Sequence, residues 1–292
     1  MLYGMLSDII DVLADPADGT ALSGVDDFTR LVSESGHSFD VARQGFVTLA
    51  PGAGLRHRGD SMEMVRARET FLSRGHFAPF VEAVTSGVHD ALDDAAVPDT
   101  ARPVIADIGA GTGYYLSHTL DDVEGSRGVG LDISVHAARQ LTRCHKRVGS
   151  VVADVWAGLP MRDRSIDVVT VVFAPRNAAE FARVLKEDGQ VVFLTADRGH
   201  LAELREPLGI LDVEDGKIER LVEQARGHLT PVTEPELIEF PMVLDRESIA
   251  AQIGMSPSAR HIGPGELDRR IQALPETMTV TARAHLLRMG RA

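Results

Sequence analysis

A glycine-rich turn between an apolar strand and a helix constrains the fold of this chain most strongly. The apolar run 104–108 favours a strand, and the letters D-I-G-A-G-T-G at 107–113 carry it into the turn. Glycines are favoured there because a ligand can approach the backbone without a Cβ in the way. The spacing is G-x-G-x-G, whereas dinucleotide-binding folds use G-x-G-x-x-G. The turn therefore predicts a ligand site at a strand end and disfavours NAD.

Alternating strand and helix patterns surround this turn. Further strands are predicted at 128–133, 150–154, 166–173 and 190–195, with helical patterns between them. This alternation predicts an α/β fold with a parallel, doubly wound sheet. We expect three parts: a small unit at 1–50, a helical connector at 51–100 and the sheet domain at 101–292.

Three aspartates stand at the ends of consecutive predicted strands. Asp132 lies 132 − 113 = 19 residues beyond the last glycine, where a carboxylate can accept hydrogen bonds from both ribose hydroxyls. Asp154 can reach the exocyclic amine of an adenine, and Asp107 suits a nearby sulfonium. This is the arrangement of class I methyltransferases that use S-adenosylmethionine. The alternative is that these aspartates only cap helices.

The charge of the chain is acidic overall but basic in one segment. Its net charge of −13 argues against nonspecific binding to nucleic acid. Within 55–74, however, arginines outnumber acids, which predicts a local basic face. The alternative is a solvated helix face. The single cysteine, Cys144, excludes an internal disulfide, and the absence of a basic leader or an apolar span predicts a cytoplasmic protein.

Several segments together resemble the RlmA-type methyltransferases, which methylate N1 of a guanine in 23S ribosomal RNA and include macrolide-resistance enzymes. The most specific segments are G-D-S-M-E-M at 59–64 and A-R-E-T-F-L at 67–72. The resemblance covers about residues 8–262. It implies rRNA methylation by a transferase that acts on 23S rRNA. Together with the excess of arginines at 55–74, it predicts that Arg56, Arg58 and Arg68 contact RNA phosphate. The lack of a long apolar stretch separately predicts that the protein binds no membrane. A homodimer is left open.

The motifs and the resemblance together predict a set of site residues. The predicted cofactor-binding residues are Phe77, Asp107, Gly109, Gly111, Gly113, Tyr114, Asp132, Ile133, Asp154, Val155 and His200. The residues predicted to hold the target base are Phe173, Pro175 and Arg176, which follow the fourth strand. No general base is assigned. Two other functions stay open, a small-molecule methyltransferase and a non-catalytic module that binds ribosomes or senses the cofactor.

The chain departs from this family in its N-terminal unit. Typical members carry a zinc site of the form C-x2-C followed by C-x3-H. The corresponding positions here hold Asp15, Asp18, Ser33 and His37. Structural zinc favours cysteine and histidine, so we predict a degenerate zinc-ribbon-like module that recognises RNA and binds no metal.

Overall fold

The computed structural model describes residues 4–51, 54–98, 100–210, 215–256 and 264–292. The strands in this part of the chain are β1 (Leu22–Val25), β2 (Arg30–Ser33), β3 (Ser38–Asp40), β4 (Phe46–Thr48), β5 (Val104–Ile108), β6 (Arg127–Asp132), β7 (Val148–Val152), β8 (Ile166–Val172), β9 (Leu185–Ala196), β10 (Leu229–Pro231), β11 (Glu236–Asp245) and β12 (Thr277–Arg291). The helices are α1 (Gly4–Ser7), α2 (Met62–Leu72), α3 (Ala78–Asp94), α4 (Tyr114–Asp122), α5 (Val135–Cys144), α6 (Ala178–Val184), α7 (Arg205–Leu208), α8 (Lys217–Ala225), α9 (Arg246–Gly254) and α10 (Pro264–Gln272).

The central sheet has the strand order β10-β12-β9-β8-β5-β6-β7-β4, and β11 also pairs with β12. The chain proceeds from β5 outward to β7 and then returns to β8, on the other side of β5. Ligands of such sheets bind outside the carboxyl ends of the strands at this reversal. The fold therefore places a cleft at the ends of β5 and β8.

The sheet is mixed, which corrects the prediction of a wholly parallel sheet. β4 to β9 pair in parallel, but β12 runs antiparallel to β9 and to both β10 and β11. Side chains along much of β12 alternate between buried and less buried, whereas those of β8 are buried throughout. This alternation is typical of antiparallel strands with one face against a core.

Apolar layers cover both faces of the sheet. On one face, Phe80 and Val84 of α3 join a buried cluster with Ile105 of β5. On the other, Phe181 of α6 packs in a cluster with Val129 of β6. Each large side chain buried in this way contributes about 1.5–3 kcal/mol. No helix in the described ranges is both long enough and apolar enough to cross a membrane.

The N-terminal unit is joined to the sheet more closely than a boundary at residue 50 predicts. β1, β2 and β3 form a separate antiparallel sheet, but β4 pairs in parallel with β7 and extends the central sheet. Leu6, Ile9 and Leu31 belong to the same buried cluster as Val129 of β6. Within residues 4–50, therefore, the structure shows no hydrophobic core separate from that of the sheet.

Candidate active site

The glycine turn follows β5 in a backbone conformation that requires glycine. Gly109, Gly111 and Gly113 have φ angles of 75°, 56° and 81°, which L side chains rarely adopt. The N–H groups of Gly109 and Ala110 donate to the carbonyl of Leu131, so the turn is fixed to the end of β6. A Cβ on Gly109 would lie 2.5 Å from the Cβ of Ala174. The turn is thus pressed against the segment that follows β8.

Asp107 lies at the bottom of the cleft. It is only 2% exposed, and Thr170 of the neighbouring β8 donates a hydrogen bond of 2.9 Å to it. Burial, with a smaller contribution from nearby Asp132, raises the pKa of Asp107 to about 7. A buried carboxyl that titrates near neutrality gains from a bound positive charge.

Asp132, at the end of β6, connects the glycine turn to the start of α5. Its two carboxylate oxygens accept hydrogen bonds from Gly111 N–H at 2.9 Å and from Ser134 N–H at 2.8 Å. Burial raises its pKa, although these hydrogen bonds oppose the shift. Helix α5 is capped by Ser134, so Asp132 is not its N-cap. The carboxylate is held rigidly, and each oxygen has a further lone pair to offer a ligand.

Asp154, just beyond β7, is 3% exposed. It caps a short 3₁₀ helix by accepting from Trp156 N–H, so the capping alternative describes part of its role. Its other oxygen bonds to Nδ1 of His57 at 2.7 Å. Burial acts to raise the pKa of Asp154, but the hydrogen bonds from His57 and Trp156 N–H lower it overall. Sequence reasoning missed His57, because no local pattern links it to a residue 97 positions away.

Residues 55–60, which we call the strap, cross the cleft from β7 to β6. The strap contacts Asp154 through His57, and the carbonyl of Asp60 accepts from Ser134 Oγ at 2.7 Å. A Cβ on Gly59 would lie 2.7 Å from the Cα of Ser134. The glycine of the G-D-S-M-E-M segment therefore allows the strap to lie directly on the start of α5.

Arg68 is placed differently from the other two arginines predicted to contact RNA. Its guanidinium bonds to Asp60 at 2.6 Å and to the Met255 carbonyl at 3.2 Å, and its side chain is 24% exposed. Its Cδ would lie 3.2 Å from a Cβ on Gly111. Arg56 and Arg58, by contrast, are exposed. The structure thus separates Arg68, beside the glycine turn, from the exposed pair in the strap.

An aromatic cluster lies on the β8 side of the glycine turn. Its rings belong to Phe77, Phe80, Phe173 and His200, with centroids 5.2–6.3 Å apart. The structure thus brings together Phe77 and His200, predicted for the cofactor, and Phe173, predicted for the base. Phe80 and its neighbour Phe240, at 4.8 Å, were missed because they read as ordinary core residues.

Phe173 was predicted as the last residue of a strand at 166–173, but it lies just beyond the observed strand β8. β8 ends at Val172, and Phe173 has a φ of 51°, rare for a side chain of this size. The residue is 41% exposed. A strained residue that presents an aromatic ring at a cleft is typical of a functional position.

His200 is held in one tautomer. Arg283 N–H donates to its Nδ1 at 3.1 Å, so Nδ1 is an acceptor and the proton of the neutral ring is on Nε2. Burial lowers the pKa of His200 to about 4, which keeps the ring neutral. Nearby, the half-buried Arg176 donates to Thr195 Oγ1 at 2.7 Å, and Pro175 is exposed.

Tyr114 does not join the aromatic cluster. It lines a cavity of about 200 Å³ between α2, α4 and α5, together with Cys144. Burial raises the pKa of the Cys144 thiol to about 12, so the thiol stays protonated near neutral pH. Its Sγ would lie 2.5 Å from a Cβ on Gly113, which gives Cys144 a packing role.

The four positions that match the family's zinc ligands do lie together. Asp15, Asp18 and His37 place ligand atoms within 4.8 Å of one another, and Ser33 Oγ accepts from His37 N–H. Asp15 Oδ2 already bonds to His37 Nδ1 at 2.8 Å. Hydrogen bonds from Ser35 and Thr20 lower the pKa of Asp18 to about 2. The set offers one imidazole and two carboxylates but no thiolate, whereas structural zinc sites are built mainly from cysteine and histidine.

Comparisons with known proteins agree with this geometry. A family model described as "Methyltransferase domain" matches residues 106–193. A 23S rRNA (guanine(748)-N(1))-methyltransferase of Streptomyces fradiae is 40% identical over 248 residues, or 85% of this chain and 86% of that protein. A protein of Micromonospora griseorubida, provisionally named as a 23S rRNA guanine-N1-methyltransferase, is also 40% identical, over 87% of this chain and 88% of its own. The chain therefore belongs to the family of 23S rRNA guanine-N1-methyltransferases, as its motifs predicted, and is an S-adenosylmethionine-dependent methyltransferase.

Proposed function

We propose that this enzyme transfers the methyl group of S-adenosylmethionine to N1 of a guanine in 23S rRNA. The observation that carries the proposal is the contact between Gly109 and Ala174, which places the glycine turn beside the aromatic cluster. The name of the Streptomyces fradiae relative supports the same substrate. The proposed substrate would locate the enzyme with the ribosomes, in the cytoplasm.

The cleft fits the cofactor in its chemistry. In the proposal, Asp132 accepts from the ribose hydroxyls, Asp154 from the adenine amine, and the glycine turn permits close approach of the ligand. Ile133 and Val155, next to these aspartates, would border the nucleoside, and Phe77 and Tyr114 stay predictions for the same pocket. When bound, the cofactor supplies an electrophilic methyl group. The carboxyl of Asp107 offers a negative charge to a positively charged ligand.

The target base is proposed to lie between the glycine turn and the aromatic cluster. The exposed ring of Phe173 can stack on a base, while Pro175 and Arg176 border the same space. A guanine must leave its stack to reach a cleft of this kind. The enzyme then contributes mainly by holding N1 in line with the methyl group.

The strap is proposed to contact RNA. Arg56 and Arg58 are exposed, and Arg56 N–H reaches the Asp154 carboxylate, which also binds Trp156 N–H. Trp156 is 56% exposed and therefore stands beside the basic strap. An exposed aromatic ring next to arginines is typical of surfaces that bind single-stranded nucleic acid. In this proposal Arg68 supports the glycine turn, and Arg56 and Arg58 contact the RNA.

The direct test is incubation of 23S rRNA lacking this modification with labelled S-adenosylmethionine, both as free RNA and in subunits. We expect the label on N1 of a guanine, mapped by mass spectrometry of RNA fragments. The position equivalent to the guanine named for the Streptomyces fradiae relative is the first to inspect. Label on a small metabolite alone, or on no acceptor while the cofactor still binds, would refute the RNA substrate.

We also propose that the N-terminal unit recognises RNA without a zinc ion. The support is the polar cluster in which Asp15, Ser33 and His37 already satisfy one another by hydrogen bonds. Binding a metal there would require His37 to give up the carboxylate of Asp15. Elemental analysis after dialysis against a mild chelator should find less than stoichiometric zinc, and one zinc per chain would contradict the proposal.

A further inference from the structure

We infer that His200 selects guanine as the target base by donating a hydrogen bond from Nε2–H to O6. This inference rests on the proposed function and deepens it, since it names the residue that reads the base. The sequence predicted His200 only as a cofactor contact. The geometry instead points to a donor for the acceptor base.

The direction of the His200 imidazole is fixed. The backbone N–H of Arg283 donates a hydrogen bond to Nδ1. Arg283 lies on β12, a strand at the centre of the antiparallel half of the sheet. The ring therefore offers a donor, and only a donor, at Nε2. Among the residues that the structure describes, no acceptor is found for this Nε2–H. A ligand oxygen would complete it.

The ring of His200 lies beside the proposed site of the target base. His200 lies 5.9 Å from the ring of Phe173 and 6.1 Å from that of Phe77, measured between centroids. Phe173 is followed by Ala174, which touches the glycine turn. A base stacked on Phe173 would therefore have its edge near both His200 and the methyl donor. Apolar surroundings of this kind strengthen a hydrogen bond, because water does not compete for it.

The edge of the purine that faces the methyl donor differs between guanine and adenine. Guanine presents the acceptor O6 next to N1, whereas adenine presents an amino donor at the same place. In the reaction the N1 proton leaves to water and the N1 electron pair forms the new bond to the methyl carbon. The carbon–sulfur bond breaks and its electron pair stays on sulfur. Negative charge that develops on O6 as the proton leaves is stabilised by a donor placed there.

The test compares His200→Phe with His200→Gln on RNA whose target guanosine is either natural or replaced by 6-thioguanosine. Sulfur accepts hydrogen bonds poorly, so the wild-type enzyme should prefer the natural base. His200→Phe should lower kcat/KM on natural RNA by about 5- to 150-fold, the loss of one buried hydrogen bond. It should also abolish the preference for oxygen over sulfur. His200→Gln, which retains an N–H donor, should recover part of both.

His76→Phe is the matched control. It makes the same substitution at another histidine that packs on this aromatic region, but one whose ring bonds to Ser248. We expect it to keep the wild-type preference for oxygen over sulfur. Affinity for S-adenosylmethionine, measured by calorimetry, should change less than twofold in both His200 variants.

Two results would overturn the inference. If His200→Phe lowers the rate on natural and sulfur-containing RNA by the same factor, the ring acts by packing alone. If it weakens cofactor binding in parallel with the rate, His200 belongs to the cofactor pocket. A wild-type enzyme that methylates no guanine refutes the proposed function itself, whereas both results above presuppose that guanine is methylated.

Discussion

The two halves of the cleft differ in how far their polar groups are already satisfied. In the cofactor half, comprising the ends of β5, β6 and β7, Asp132 and Asp154 accept from backbone N–H groups. In the acceptor half, comprising the ends of β8 and β9, aromatic rings surround a neutral histidine. The first half is a rigid frame of carboxylates. The second is an apolar surface with a directed donor.

This difference shows how one cleft can treat its two ligands differently. Asp132 is held by two backbone donors and needs no rearrangement to receive hydroxyl groups, so it is preorganised for the proposed ribose contact. Asp154 differs, because one of its oxygens already bonds to His57. An aromatic surface attracts any base by stacking, and a single directed donor then decides which base is accepted. The contact between the halves, the cofactor half and the strap that crosses it can each be tested by substitution.

The largest effect is expected at Gly109, where the two halves touch. Gly109→Ala forces a Cβ into a left-handed backbone and against Ala174, so it should cost about 2–5 kcal/mol of stability. Gly75→Ala is the control, because Gly75 has the same φ of +75° and no atom within 4 Å of a new Cβ. Urea denaturation should show a loss of about 1–2 kcal/mol there. Equal losses in the two variants would mean that the contact with Ala174 is not tight.

The next largest effect is expected on cofactor binding, when Asp132 is replaced. Asp132→Ala removes the proposed ribose acceptor, so calorimetry with S-adenosylmethionine should show a loss of about 1.5–3 kcal/mol in binding. Asp132→Asn keeps one acceptor oxygen and should lose less. Unchanged affinity in the alanine variant would remove Asp132 from the cofactor site.

Asp107 should make the stability of the ligand-free protein depend on pH. Its pKa in the folded protein, about 7, lies above its usual value, so the stabilisation present at low pH is lost as pH rises through 7. Between pH 5 and 8 the free energy of unfolding should fall by about 2 kcal/mol more than in Asp107→Asn. Equal pH dependence of the two proteins in urea denaturation would show that Asp107 is ionised throughout.

The smallest effect is expected at the exposed end of the strap. Replacing Arg56 and Arg58 by alanine should weaken RNA binding and lower the slope of log affinity against log salt by about 0.7–0.9 for each phosphate that is no longer neutralised. Cofactor affinity should stay the same, because Arg56 contacts Asp154 only through its backbone. Arg162→Ala, on the exposed turn before the amino end of β8, serves as the control. An unchanged salt slope would leave these arginines as a solvated surface.

The sequence predicted the strands and the glycine turn of the cofactor half because their signals are local. β5 has the predicted bounds, and the aspartates stand at or just beyond their strand ends. Each of these features is encoded within about ten neighbouring residues. The family assignment was predictable for the same reason, since the motifs are contiguous.

The acceptor half and the strap were less predictable because distant residues assemble them. His200 obtains its tautomer from Arg283, and Phe80 meets Phe240 across the core. The bond of His57 to Asp154 depends on the pairing of β4 with β7, which no local pattern indicates. The left-handed backbone of Phe173 was missed because its apolar side chain continues the pattern of the strand.

The position of β4 in the sheet has a consequence for how the chain folds during synthesis. Phe46 pairs with Ser150, 150 − 46 = 104 residues later, so the strap has no strand to lie on until β7 has been made. The edge of β9 waits still longer, because its partner β12 follows every other strand that the structure describes. Unpaired strand edges promote aggregation. A chain that ends before residue 277 would therefore leave the edge of β9 unpaired, and such a fragment would tend to aggregate through that edge.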